Sequence, residues 1–70
     1  MNEEMKNTLR KIRDILLQME WMNQNYLIGI MNPLGKATIE QMETFLKWIQ
    51  NNRNKEPQEM REKAKEIVKN

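Results

Sequence analysis

Apolar residues recur at helical spacing through the first thirty residues of this chain: Met5, Leu9, Ile12, Leu16, Met19, Tyr26 and Ile30. Met5, Ile12, Met19 and Tyr26 form a strict heptad. Leu9, Leu16 and Ile30 run beside it, and Asn23 interrupts. A stripe of this period suits a left-handed helical bundle or coiled coil. It predicts one long amphipathic helix over residues 3–31, about 40 Å if unbroken. Glu3 and Glu4 sit in its first turn, where the helix dipole favours negative charge. The weak point is Asn23-Gln24-Asn25, where low helix propensity admits a break. The run from Tyr26 to Met31 is apolar enough for a buried strand. No second strand is there to pair with it, so helix is the better reading.

The rest of the chain carries its own punctuation. Asn32-Pro33-Leu34-Gly35 is a stop signal: Pro33 disfavours helical geometry at Asn32 and lacks a backbone donor. Gly35 permits a tight reversal. Thr38, with Gln41 three residues on, makes a capping box for a second helix over 39–51. Its stripe is Ile39, Met42, Phe45, Leu46 and Ile49, and Asn51-Asn52-Arg53-Asn54 ends it. Pro57 fits the first turn of a third helix over 57–69, where its missing N–H costs nothing. That helix shows only Met60, Ala64, Ile67 and Val68 on one face, so it is expected to fray first. The expected fold is a single all-α domain over residues 1–70. It is a small three-helix bundle with a long N-terminal helix, an antiparallel helical hairpin and a short third helix.

Size limits what such a bundle can do alone. Seventy residues supply a single core, which rarely contributes more than about 3–5 kcal/mol. The chain has no cysteine and no histidine. That removes disulfides, thiolate metal sites, the commonest metal ligand and the commonest general base. Self-association or a binding partner is the remaining way to gain stability. A homodimer through helix 1 is the expected form.

Charged residues make up 31% of the chain, yet the formal net charge is only +2. Nucleic-acid binders tend to leave a stronger basic footprint. The longest apolar run falls far short of the roughly 20 residues of a membrane span. The acidic start does not resemble a signal peptide. The expected location is therefore cytoplasmic: bacterial, or host cytoplasm for a phage-encoded protein. The many Asn, Lys and Ile residues fit an AT-rich bacterial or phage gene.

Catalysis is not expected, nor is any cofactor or metal site. There is no serine, no phosphate-binding glycine loop and no nucleophile–base pair. Glu40 and Glu43 form an i, i+3 pair, which a solvated helix face explains. Glu59–Lys63, Glu62–Lys65 and Glu66–Lys69 read as helical charge pairs worth a few tenths of a kcal/mol each. The methionines at stripe positions read as core filling.

The residues that point to function are Leu17, Trp21 and Ile28. At about 100° per residue they fall nearly opposite the main stripe. With Lys6, Arg10, Arg13 and Gln24 they occupy a sector of roughly 80° on an unbroken helix. One end of that face is basic and the other mostly apolar. Trp48 likewise points away from the stripe of its own helix. Either the two tryptophans pack together as a second small core, or this face is an interface. The third helix has few apolar side chains to cover both, which favours the interface. The expected function is a non-catalytic protein-binding module. It would be a small regulator or inhibitor, phage- or mobile-element-encoded, acting on a bacterial protein complex. The partner would be acidic, and the contact residues Lys6, Arg10, Arg13, Leu17, Trp21, Ile28 and Trp48. The alternative is nucleic-acid binding through Lys6, Arg10, Lys11 and Arg13, joined by Arg53 and Lys55. A helix-turn-helix before Thr38 fits poorly, because Glu40 and Glu43 would face phosphate. Interfacial membrane binding is weaker still, because Asp14 and Glu20 interrupt the basic face.

Overall fold

The computed structural model describes residues 2–69, and those residues form four helices. They are α1 (Glu3–Leu17), α2 (Gln24–Leu34), α3 (Ile39–Gln50) and α4 (Pro57–Lys69). The all-helical class is as expected; the helix count is not. The long first helix is two helices, and the break lies just upstream of the expected weak point.

The cause is Asn23. It takes an extended backbone (φ −139°, ψ 175°), and its side chain accepts a hydrogen bond from the Tyr26 N–H at 3.1 Å. Asparagine is among the best N-caps because its short carbonyl reaches an orphan N–H. Here it starts a new helix rather than loosening an old one. Upstream, α1 unwinds through tight i→i−3 bonds: Gln18 to Ile15, Met19 to Leu16 and Met22 to Met19, each 3.1 Å. An unbroken helix over 3–31 would measure about 43 Å. The molecule's longest extent is only 30 Å. Breaking the helix lets the second half fold back and bury its own apolar face.

That resets the heptad. Ile12 is fully buried and Met5 and Met19 pack partly against the core, but Tyr26 is 45% exposed. In α2 the buried pair is Ile30 and Leu34, at i, i+4. Pro33 does not stop the helix before it; α2 runs one residue further, and Gly35 caps it with its N–H on the Met31 carbonyl at 2.9 Å. Proline is tolerated there because only one bond of the last turn is lost. Gly35 has φ −64°, so the reversal does not use glycine's special freedom.

Alternate helices pack most extensively: α1 on α3, and α2 on α4. Consecutive helices touch less. The core joins all four: Ile12 and Leu16, Ile30 and Leu34, Met42, Phe45 and Ile49, and Met60, Ala64 and Ile67, with Ala37 from the α2–α3 turn. The last helix is thus anchored, despite its thin stripe. Gln41 ties it down. Its Oε1 accepts from the Thr38 N–H (2.9 Å), and its Nε2 donates to the Ile67 carbonyl (3.1 Å). One side chain closes the expected capping box and also holds the end of α4. Gly29 of α2 faces the Arg61 stem of α4; a Cβ there would lie 3.3 Å from the arginine Cδ.

Candidate protein-binding surface

The basic row survives the break in helix 1, because all of it lies in α1. Lys6, Arg10, Arg13 and Leu17 follow one another at three- and four-residue spacing. They run along the exposed side of α1, well round the helix from the buried Thr8–Ile12–Leu16 stripe. All four are exposed, Leu17 at 54%. Lys6 and Arg10 form no ion pair among the described residues. Arg13 has only its neighbour Asp14, 3.8 Å away with both side chains over half exposed. Such a pair contributes little, so the row remains available to an outside partner.

The tertiary fold adds what the row lacks. Met31 of α2 comes up beside Leu9. The two apolar side chains and Lys6, Arg10 and Arg13 line an open depression of about 250 Å³. This is below the roughly 300–1,000 Å³ of small-molecule sites. Ile28, 46% exposed, lies one turn N-terminal of Met31 on α2. On the helical wheel it falls between Met31 and the outward-facing Asn25 and Asn32.

Trp21 and Trp48 go elsewhere. Trp21 lies in the turn between α1 and α2, half-buried, its ring edge-on to Tyr26 (centroids 6.0 Å apart, planes at 88°). It borders a different depression, of about 330 Å³, whose lining includes Ile15, Met19, Arg53 and Asn54. The sector that joined it to Lys6 and Arg10 required an unbroken helix. Trp48 packs beside Phe45 (5.8 Å, 31°), with the Lys63 ammonium 5.8 Å from its ring. The two tryptophans therefore do not make a joint second core. Each packs within its own part of the molecule, Trp48 under α4.

The cations of the alternative reading do not converge either. Arg53 lines the Trp21 depression, and Lys55 lies 4.0 Å from Glu59. One expected charge pair of the last helix, Glu59–Lys63, gives way to others: Glu59 meets Lys55, and Lys63 meets Glu66 at 3.7 Å.

Three features escaped the sequence reading. Leu9, assigned to the core stripe, and Met31, given no role, both line the basic depression. Tyr26, assigned to the main stripe, is exposed. The third had a visible signal: from Trp21 to Gly35, fifteen residues pass without a charge in a chain that is 31% charged. A surface helix with no charge of its own is unusual among its neighbours here, and α2 is that helix. No helix among the described residues is long and apolar enough to cross a membrane. Compared with protein families, with curated proteins and with solved structures, the chain matches none.

Proposed function

We propose that this chain is a non-catalytic protein-binding module, a small regulator or inhibitor that docks on a bacterial protein complex. The observation that carries the proposal is the union of two surfaces. A row of weakly paired cations on α1 borders Met31 of a charge-free helix that also leaves Ile28 exposed. Cations at the rim steer an acidic partner and set its register; the apolar residues beside them supply the burial that holds it. Phage or mobile-element origin is supported by composition alone.

The contact surface we assign is Lys6, Arg10, Arg13, Leu17 and Ile28, with Leu9 and Met31 beneath. Trp21 lies outside it, beside the other depression, and Trp48 serves the α3–α4 contact. An affinity capture from bacterial lysate with the intact chain tests the proposal, with Arg10→Glu/Arg13→Glu as the comparison. Partners retained by the parent and lost from the variant are expected. A partner set unchanged by both reversals removes this surface from the function.

A second copy of the chain is a weaker candidate for the same face. A twofold dimer sets one patch against itself, which here brings together two sets of three cations. Light scattering at micromolar concentration distinguishes a monomer from that dimer. Nucleic-acid binding is second to protein binding, because Arg53 and Lys55 do not extend the α1 row. It predicts affinity falling steeply with salt.

A further inference from the structure

We infer that the occupant of the α1–α2 groove is an acidic amphipathic helix of about three turns, an inference that rests on the protein-binding reading above. The groove has two unlike walls. On α1, Lys6, Arg10 and Arg13 line it and the exposed Leu17 continues their row, twelve residues in all and about 16 Å along the axis. On α2 the lining residue is Met31, with Ile28 exposed one turn towards the N-terminus and no charge anywhere along the helix. Leu9 and Met31 form the floor between them.

Each part selects a property of the ligand. The floor asks for apolar side chains at i, i+3 or i+4, and i+7, the spacing that helices present to grooves between helices. Met31 adapts to whichever of them arrives, because its unbranched side chain repacks easily. The α1 wall asks for carboxylates, and on one edge of the ligand only. The α2 wall, with Asn25 and Asn32 beyond it, asks for uncharged polar groups on the other edge. An extended peptide is disfavoured: the described residues are helical or in short turns, so there is no sheet edge to extend. A proline-rich peptide would need an aromatic-lined groove, and this floor is Leu9 and Met31. The footprint of so short a helix lies at the small end of interface sizes.

The test is a selection of the intact chain against a displayed library of random peptides of about 14 residues, long enough for three turns. The expected winners carry apolar residues at helical spacing and Asp or Glu along one edge. Synthesised, they gain helical circular dichroism on binding. Their affinity falls about tenfold for Arg10→Glu/Arg13→Glu, two exposed pairs being reversed. It is unchanged for Lys65→Glu/Lys69→Glu, which alters the net charge equally at exposed sites on α4 that line a different depression. Salt titration of the unmodified chain gives the same discrimination without a variant. Winners with no acidic bias, winners that bind without becoming helical, or no winners at all overturn the inference. If lysate capture still depends on Arg10 and Arg13, only the helical ligand is lost and the protein-binding reading stands. If capture ignores both arginines, the reading itself falls.

Discussion

Exposure separates the residues that a binding test should change from those it should not. Leu17 and Ile28 are each about half exposed, so polar replacements disturb little of the fold. Leu17→Asn and Ile28→Asn are expected to move the melting midpoint only slightly, within about 0.5 kcal/mol of stability, while weakening partner capture. Trp21 is different. It packs against the core and meets Tyr26 edge-on. Trp21→Ala should cost about 2–3 kcal/mol, combining lost burial with the aromatic pair. In a chain this small that is a large part of the total. Loss of binding by that variant would therefore report unfolding as much as contact. A cooperative melt unchanged by Trp21→Ala would show that the ring carries no packing. At this scale the sequence was informative about residue type and misleading about neighbours. It marked Leu17 and Ile28 as off-stripe, and both are exposed. It placed Tyr26 in the core stripe, because a wheel carries its phase straight through a break.

Helix ends are set by single side chains, and two of them organise this molecule. Asn23 begins α2 and thereby ends the long helix that the heptad implies. Asn23→Ala removes the cap and should cost about 1 kcal/mol, or about 4–8 °C in a domain of this size. Helical content should not rise, because the chain must still turn back for Ile30 and Leu34 to reach the core. A gain in helical circular dichroism would mean that the cap alone opposes a continuous helix. Gln41 distinguishes local from tertiary work. Gln41→Glu keeps an acceptor for the Thr38 N–H but loses the donor that serves the Ile67 carbonyl. A loss of about 1 kcal/mol is expected from the broken tertiary bond. Thermal melts matching the parent would confine Gln41 to its capping role. The Thr38–Gln41 box was legible in four letters of sequence. Its second bond, twenty-six residues away, was not, since nothing local marks the end of α4 as its partner.

At the scale of the whole molecule, alternation of contacts decides what is stable and what is free. Since α2 packs on α4 and α3 packs on both α1 and α4, the last helix is part of the core rather than an appendage. Hydrogen exchange should show amides near Met60 and Ala64 protected to the same free energy as those near Phe45, both opening only with global unfolding. Markedly faster exchange in α4 would restore the picture of a fraying third helix. The same packing leaves one long side of α2 uncovered, next to the cations of α1.

What the sequence determined by itself was local. The helical class, the cap at Thr38 and the proline start of α4 all rest on side chains within one turn of one another. Such signals act over a few ångströms of backbone and need no knowledge of the fold. Only the tertiary structure decided which faces are covered. It put Trp48 under Lys63, turned Tyr26 outward and brought Met31 beside Leu9 to complete the basic groove. The physical reason is compaction. An unbroken helix of about 40 Å would hold Ile30 and Leu34 away from the core, and once it folds back, into a molecule 30 Å in its longest extent, burial is set by long-range packing rather than by spacing along the chain.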